Sequence, residues 1–136
     1  MRVSDIMSRN VITVPVTGRV RDAFTAMYNN EIRHIPVVSD GGALVGILTD
    51  RDLKEHMGAW LSGDMDPEER ADALDDPVES VMTADPVTVG PETELFELID
   101  LLLDQKFSGV PVVGSESELL GIVSYLDVLR VVRELV

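Results

Sequence analysis

Cysteine is absent from this 136-residue chain. That absence excludes disulfide scaffolds, thiolate zinc sites, iron–sulfur clusters and thiol catalysis. Basic residues are scarce. Against 25 Asp and Glu stand 11 Lys and Arg, giving a formal net charge of −14, and Lys54 and Lys106 are the only lysines. Duplex binding needs a basic face that releases counterions, so nucleic acid is excluded as a partner. The acidic surface repels polyanions at long range. A small anionic ligand stays open where a few arginines are placed locally. Long apolar runs are missing too. None approaches the ~18 residues of a membrane span. The start Met1-Arg2-Val3-Ser4-Asp5 has no signal-peptide character. No membrane partner is expected, and the setting is cytoplasmic by default.

What is present is ordinary globular material. The apolar fraction is 45% and the charged fraction 26%, which excludes a disordered chain. At this length folding buries roughly two-thirds of the unfolded surface.

The chain also repeats itself. Shifted by 75 positions it realigns without a gap: Val3 falls on Val78, Met7 on Met82, Thr13-Val14 on Thr88-Val89, Pro36-Val37-Val38 on Pro111-Val112-Val113, Gly46-Ile47 on Gly121-Ile122 and Asp52 on Asp127. Matches at Gly, Pro and Asp argue against chance. The period exceeds that of solenoid repeats. It indicates two copies of one small domain, residues 1–60 and 78–136, joined by a linker at 61–77.

Each half has the same expected order. A helical turn (Val3–Met7; Val78–Met82) leads to a short strand at Val11–Val14 or Pro86–Val89. A helix follows, Arg19–Asn30 or Glu94–Lys106. The first carries Val20, Ala23, Phe24 and Met27 at i, i+3, i+4, i+7. Two strands come next, Ile35–Val38 with Leu44–Leu48, and Val110–Val113 with Leu119–Val123. Ser39-Asp40-Gly41-Gly42 suits a tight antiparallel turn. A last helix starts near Asp50 and near Tyr125. The expected fold class is α/β (α+β): tandem repeats, each strand–helix–strand–strand–helix. The strands Ile35–Val38 and Val45–Leu48 do not alternate polar with apolar, so both sheet faces are expected to be covered. A pseudo-twofold sandwich of the two halves supplies that cover.

The linker is rich in Asp, Glu and Pro and reads as a solvated spacer with one helical turn at Glu68–Leu74. Its acids lack the ordered spacing of a cation loop. With only His34 and His56 as histidines, no metal site is expected.

The chemistry gathers where a strand gives way to a helix. Gly46-Ile47-Leu48-Thr49-Asp50-Arg51-Asp52 and Gly121-Ile122-Val123-Ser124-Tyr125-Leu126-Asp127 share one pattern: Gly, two aliphatics, a hydroxyl residue, two variable residues, Asp. A hydroxyl N-cap with an acid three residues later explains the pattern without any ligand. The same geometry suits a nucleoside phosphate. The free N–H groups of the helix start and the hydroxyl meet phosphate, the Asp meets ribose hydroxyls, and apolar strand residues face a base. Both readings stand on spacing alone.

The paired Gly-aliphatic-aliphatic-[Thr/Ser]-x-x-Asp motifs, with Ile35-Pro36-Val37-Val38, Val110-Pro111-Val112-Val113, Asp5-Ile6-Met7 and Ser80-Val81-Met82, resemble the cystathionine-β-synthase (CBS) domain pair, or Bateman module. The resemblance covers nearly the whole chain outside the linker. It implies two sheets packed together, with ligand clefts between the repeats. It also implies a regulatory module, used in energy sensing among other roles, and no catalysis. The ligand it implies is an adenosine compound (AMP, ADP, ATP, S-adenosylmethionine or a dinucleotide) acting as a regulatory ligand rather than a cofactor. By position, Asp52 and Asp127 would bind ribose, and Thr49 and Ser124 phosphate or ribose. Ile12, Thr13, Val87 and Thr88 would lie beside adenine. Ile35, Pro36, Val110 and Pro111 would give wall and backbone contacts.

The two sites are not equal. The first has Arg33 and His34 before Ile35, and Arg51 inside its motif; the second has Ser108-Gly109 and Tyr125-Leu126 there. Arginine offers a bidentate fork to phosphate, so the first site is expected to take the charged nucleotide. His34 reads equally as a hydrogen-bonded strand-end residue, and Arg51 as a surface ion-pair partner. Trp60 reads as helix packing or interface. The final helix, Leu126–Val136, is apolar on more than one face and is expected to contact a second copy in a homodimer. An effector protein is the further implied partner. A module with degenerate pockets, serving only dimerisation or docking, is the alternative. No nucleophile–base pair or carboxylate dyad at catalytic spacing is visible.

Overall fold

The computed structural model describes residues 1–136 apart from the side chains of Trp60 and Leu61. The expectation for Trp60 therefore lies outside the described residues. In chain order the elements are α1 (Val3–Ile6), β1 (Val14–Pro15), α2 (Val20–Asn30), β2 (His34–Val38), β3 (Leu44–Thr49), α3 (Asp50–His56), α4 (Gly58–Leu61), α5 (Pro67–Asp75), a 3-10 turn at Val78–Ser80, β4 (Thr83–Ala84), α6 (Leu95–Gln105), β5 (Gly109–Val113), β6 (Leu119–Ser124) and α7 (Tyr125–Leu135). They form two compact units, Ile12–Pro86 and Met1–Val11 with Val87–Val136.

The unit Ile12–Pro86 holds a four-stranded sheet in the order β1-β2-β3-β4, with β1 parallel to β2 and the other pairs antiparallel. The α2 helix buries Val20, Ala23 and Met27 on one stripe. Its first turn is closed by Asp22, whose carboxylate accepts from the Arg19 N–H at 2.9 Å. It ends at Glu31, a non-glycine residue in the left-handed region at φ 52°. Ser39–Gly42 makes the turn between β2 and β3. The Gly42 N–H donates to the Ser39 carbonyl at 2.9 Å, with Gly42 at φ +85°. Ile35, Pro36 and Val37 are all buried, as unbroken apolar patterning predicts, but β3 alternates: Gly46 and Leu48 are buried, while Val45 and Ile47 are half-buried.

Val78 completes this unit's core beside Val14, Ile35, Val37, Leu48 and Leu53. Behind it β4 pairs with β3, Ala84 opposite Gly46. The opening turn of the second repeat is thus built into the unit that carries the first repeat's sheet.

The reciprocal arrangement holds in the other unit. Val3 and Met7 join Leu98, Leu102, Val110, Val112 and Val123. The Ser8 N–H donates to the Ile122 carbonyl, and the Ile122 N–H to the Ser8 carbonyl, both at 2.9 Å. Strands β5 and β6 pair antiparallel in the same register as β2 and β3, including the irregularity one residue before the strand end.

Three local expectations change. The strand expected at Pro86–Val89 reduces to one parallel bridge between Val89 and Val112. The one expected at Val11–Val14 shrinks to Val14–Pro15. What remains is held by a few backbone hydrogen bonds: the Val16 N–H donates to the Val38 carbonyl at 2.8 Å, and the Val89 N–H to the Pro111 carbonyl at 3.1 Å. The linker is no plain spacer, because Pro67–Asp75 forms α5, with Asp66 as N-cap accepting from the Glu69 N–H at 2.8 Å. That hydrogen bond holds the Asp66 carboxyl below its ordinary range, and the Asp66 side chain in turn raises Glu69. The helix is docked from its far end. Arg21 pairs with Asp75 at 2.6 Å, the Arg19 guanidinium donates to the Asp75 carbonyl at 2.8 Å, and His56 Nε2 lies 3.0 Å from the Ala73 carbonyl.

Candidate functional site

In each unit the signature motif spans the point where the last strand passes into the following helix. Leu48 and Val123 anchor the strand ends in the cores. The glycine two residues earlier admits a methionine: Met82 packs directly on Gly46, and Met7 on Gly121. Thr49 is extended (φ −109°, ψ 164°) and caps α3. Its hydroxyl accepts from the Asp52 N–H at 3.1 Å, and its own N–H donates to Asp52 Oδ2 at 2.9 Å. Ser124 repeats this on α7: its N–H donates to Asp127 Oδ2 at 2.8 Å, and its hydroxyl accepts from the Asp127 N–H at 3.4 Å. Both capping boxes are formed, so helix capping alone accounts for the spacing. It does not exhaust the Asp52 carboxylate, because no described residue donates to Asp52 Oδ1.

Several of the expected site residues converge on the first junction. His34 is the cross-strand partner of Thr49, and directly paired residues share a sheet face. The Asp50 N–H donates to the Arg33 carbonyl at 2.8 Å, which ties Arg33 to the start of α3. Arg33 and Arg51 are exposed, and neither forms an ion pair among the described residues. Ile12 and Thr13 lead into β1, which lies along β2 through Val14 opposite Val37. Ile35 points away from Thr49 into the core and is fully buried, and Pro36 is fully buried as well.

The second junction repeats the frame with different side chains. Gly109 is the partner of Ser124 and Pro111 that of Ile122. The Tyr125 N–H donates to the Ser108 carbonyl at 3.1 Å. Val110 is in the core. Val87 is exposed and Thr88 half-buried, beside the Val89 bridge to β5. One residue that motif reasoning passed over stands here. Arg130 Nη1 donates to Asp127 Oδ1 at 2.9 Å. Its signal was the Asp-to-Arg spacing of three along a helix.

A groove of about 410 Å³ opens at the first junction, against Asp50, Arg51, Lys54 and Glu55, and two larger ones lie beside the junctions. One of about 570 Å³ runs between α2 and α3 and is lined by Phe24, Met27, Tyr28, Leu53, Lys54 and Met57 among others. One of about 560 Å³ involves Thr88, Gly90, Thr93, Val113 and Ser115. Neither includes Thr49, Asp52, Ser124 or Asp127. The first is floored by apolar side chains of two helices, with Glu31, Arg33 and Asp50 at its rim.

The CBS domain profile matches residues 3–59 and again 78–134. The chain belongs to the CBS domain family. Among relatives similar to this chain, a CBS domain-containing protein of Dictyostelium discoideum is 31% identical over 133 residues, covering 93% of this chain and 88% of that protein. Protein MJ1225 of Methanocaldococcus jannaschii is 28% identical over 90% of this chain but only 46% of its own length. A homoserine O-acetyltransferase of Methanohalobium evestigatum is 26% identical, with 24% of its length covered. The chain thus spans half or less of several curated relatives, and about a quarter of the acetyltransferase. Two solved CBS pairs match throughout. CBSX2 in complex with AMP gives a TM-score of 0.84 at 26% identity, covering 98% of this chain and 97% of that one. The CBS domain pair of protein MJ0100 in complex with 5′-methylthioadenosine and S-adenosyl-L-methionine gives 0.80 at 25% identity, covering 98% and 97%. No helix among the described residues is long and apolar enough to cross a membrane.

Proposed function

We propose that this CBS pair is a regulatory module that binds an adenosine nucleotide at its strand–helix junctions. Asp52 and Asp127 receive the ribose hydroxyls, and Thr49 and Ser124 receive phosphate or ribose. Ile12 with Thr13, and Val87 with Thr88, lie along the adenine. Pro36 and Pro111 wall the sites, and Ile35 and Val110, whose side chains are in the cores, contribute backbone. The observation that carries the reading is the Asp52 carboxylate, which the cap fixes at the start of a helix through Oδ2 while no described residue donates to Oδ1. The AMP and methylthioadenosine complexes of the two matching pairs support the ligand class. Occupancy acts on a partner or on a larger chain by favouring the conformation that binds the nucleotide better, and the module itself does not catalyse.

The first site is the one for the charged nucleotide. Arg33 and Arg51 stand at its junction with His34 beside them, and a phosphate leaving water needs cations such as the two arginines. A melting-temperature screen with AMP, ADP, ATP, S-adenosylmethionine and NAD tests the class, because a ligand that binds only the folded chain raises the midpoint. Calorimetry then tests the residues: Asp52→Ala is expected to weaken AMP binding by at least about tenfold, on the scale of a lost hydrogen bond to a charged group. Unchanged affinity would refute the assignment.

The second reading, a docking module without a ligand, is favoured by the capping boxes themselves, which satisfy the helix starts. No midpoint shift with any of the five compounds selects it.

A further inference from the structure

The geometry points to Arg130 as an internal competitor for the diol at the second junction, a specificity-determining residue that makes the two sites unequal in how they take ribose. The inference rests on the adenosine-binding reading. It concerns the acceptor capacity of two carboxylates that occupy equivalent places.

An ionised carboxylate has about four acceptor positions. On Asp127 three are taken. Oδ2 accepts from the Ser124 N–H at 2.8 Å and from the Ser124 hydroxyl at 3.3 Å, and Oδ1 accepts from Arg130 at 2.9 Å. On Asp52 the described partners take one, the Thr49 N–H at 2.9 Å on Oδ2. A ribose diol brings two donors. Asp52 has room for both; Asp127 has room for one until Arg130 lets go. The difference is written in the sequence: 75 residues before Arg130 stands Glu55, which carries no donor and cannot occupy Asp52. Arg130 is 62% exposed, whereas Asp127 is 15% exposed. The guanidinium can therefore swing into water, while the carboxylate stays fixed by the cap. An exposed pair of this kind is weak, so Arg130 lowers diol affinity without abolishing it.

The test uses 5′-methylthioadenosine, which has the diol and no net charge, so its binding senses salt only through groups that compete for the site. In an Asp52→Ala background, binding reports the second junction. Arg130→Met, which keeps the apolar stem and removes every donor, is expected to tighten methylthioadenosine about two- to fivefold, the range of an exposed ion pair. Raising salt from about 50 mM to about 500 mM screens the pair. It is expected to tighten the compound on the Arg130 chain and leave the Arg130→Met chain unchanged, and Arg130→Lys is expected to restore the salt response. If Asp52→Ala does not fold, the same titrations on the otherwise intact chain, fitted to two sites, give the comparison. Equal affinity and equal salt response with and without Arg130 overturn the inference while the binding reading stands. Absence of binding to any of the chains, the unaltered one included, overturns the binding reading and this inference with it.

Discussion

Gly46 and Gly121 hold the same place in the two repeats yet meet different neighbours. A Cβ on Gly121 would lie 2.6 Å from the Ser8 carbonyl oxygen and 3.0 Å from Met7 Sδ. The three atoms nearest a Cβ on Gly46 all belong to the Met82 side chain. Methionine can turn aside through its rotatable bonds. A carbonyl that is hydrogen-bonded to the Ile122 N–H cannot move without breaking the bridge. Gly121→Ala is therefore expected to cost about 1–3 kcal/mol, as overpacking does, and Gly46→Ala clearly less. Thermal denaturation of the two variants checks the order, and equal midpoints would contradict it. Much at this scale was legible in the chain. The motif showed Thr49, Ser124, Asp52 and Asp127 as caps or ligands, and the structure holds all four in capping boxes. What could not be read was which carboxylate oxygens remain open. That depends on Arg130 turning toward Asp127, a rotamer choice that spacing permits but does not impose.

At the scale of elements, periodicity carried α2 and α6, whose apolar stripes recur at helical spacing. Their ends were less visible. Both stop at charged residues in the left-handed region, Glu31 and Lys106, where glycine would be the usual sign. In the sequence the linker helix shows only as a turn at Glu68–Leu74. It buries Ala73, rests Leu74 on the core and is fixed by Arg19, Arg21 and His56, contacts that span 17 to 56 residues and leave no local pattern. The exchange of opening segments was equally hidden. A repeat looks the same whether its first turn packs on its own sheet or on that of the other copy. This exchange makes a sharp prediction. Val78→Ala removes a fully buried side chain from the core around β2 and β3, at a cost of about 2 kcal/mol. Hydrogen exchange is expected to quicken first in β2 and β3, although Val78 belongs to the second repeat by sequence. Earlier loss in β5 and β6 would contradict the packing described.

For the molecule as a whole, charge and exposed apolar surface pull in different directions. The charge of −14 opposes the approach of any nucleotide, so binding rests on local cations and is expected to require Arg33 and Arg51. The apolar surface calls for a partner. On α6 and α7, Phe96, Leu103, Leu126, Leu129, Val132 and Leu135 are exposed, and where exposed apolar side chains gather they mark an interface. We infer a homodimer through these helices. Light scattering at micromolar concentration is expected to give twice the chain mass, and Leu129→Asp to give the single mass with an unchanged circular dichroism spectrum. A monomeric unaltered chain would contradict this.

The central claim is that the twin carboxylates grip an adenosine nucleotide. It is tested most directly by calorimetric titration of AMP into the unaltered chain and into a chain carrying both Asp52→Ala and Asp127→Ala. The account predicts saturable binding in the first and none in the second, with the fold retained. Equal AMP affinity in the two chains would place the ligand elsewhere, with the groove between α2 and α3 the first place to look, and would contradict the account.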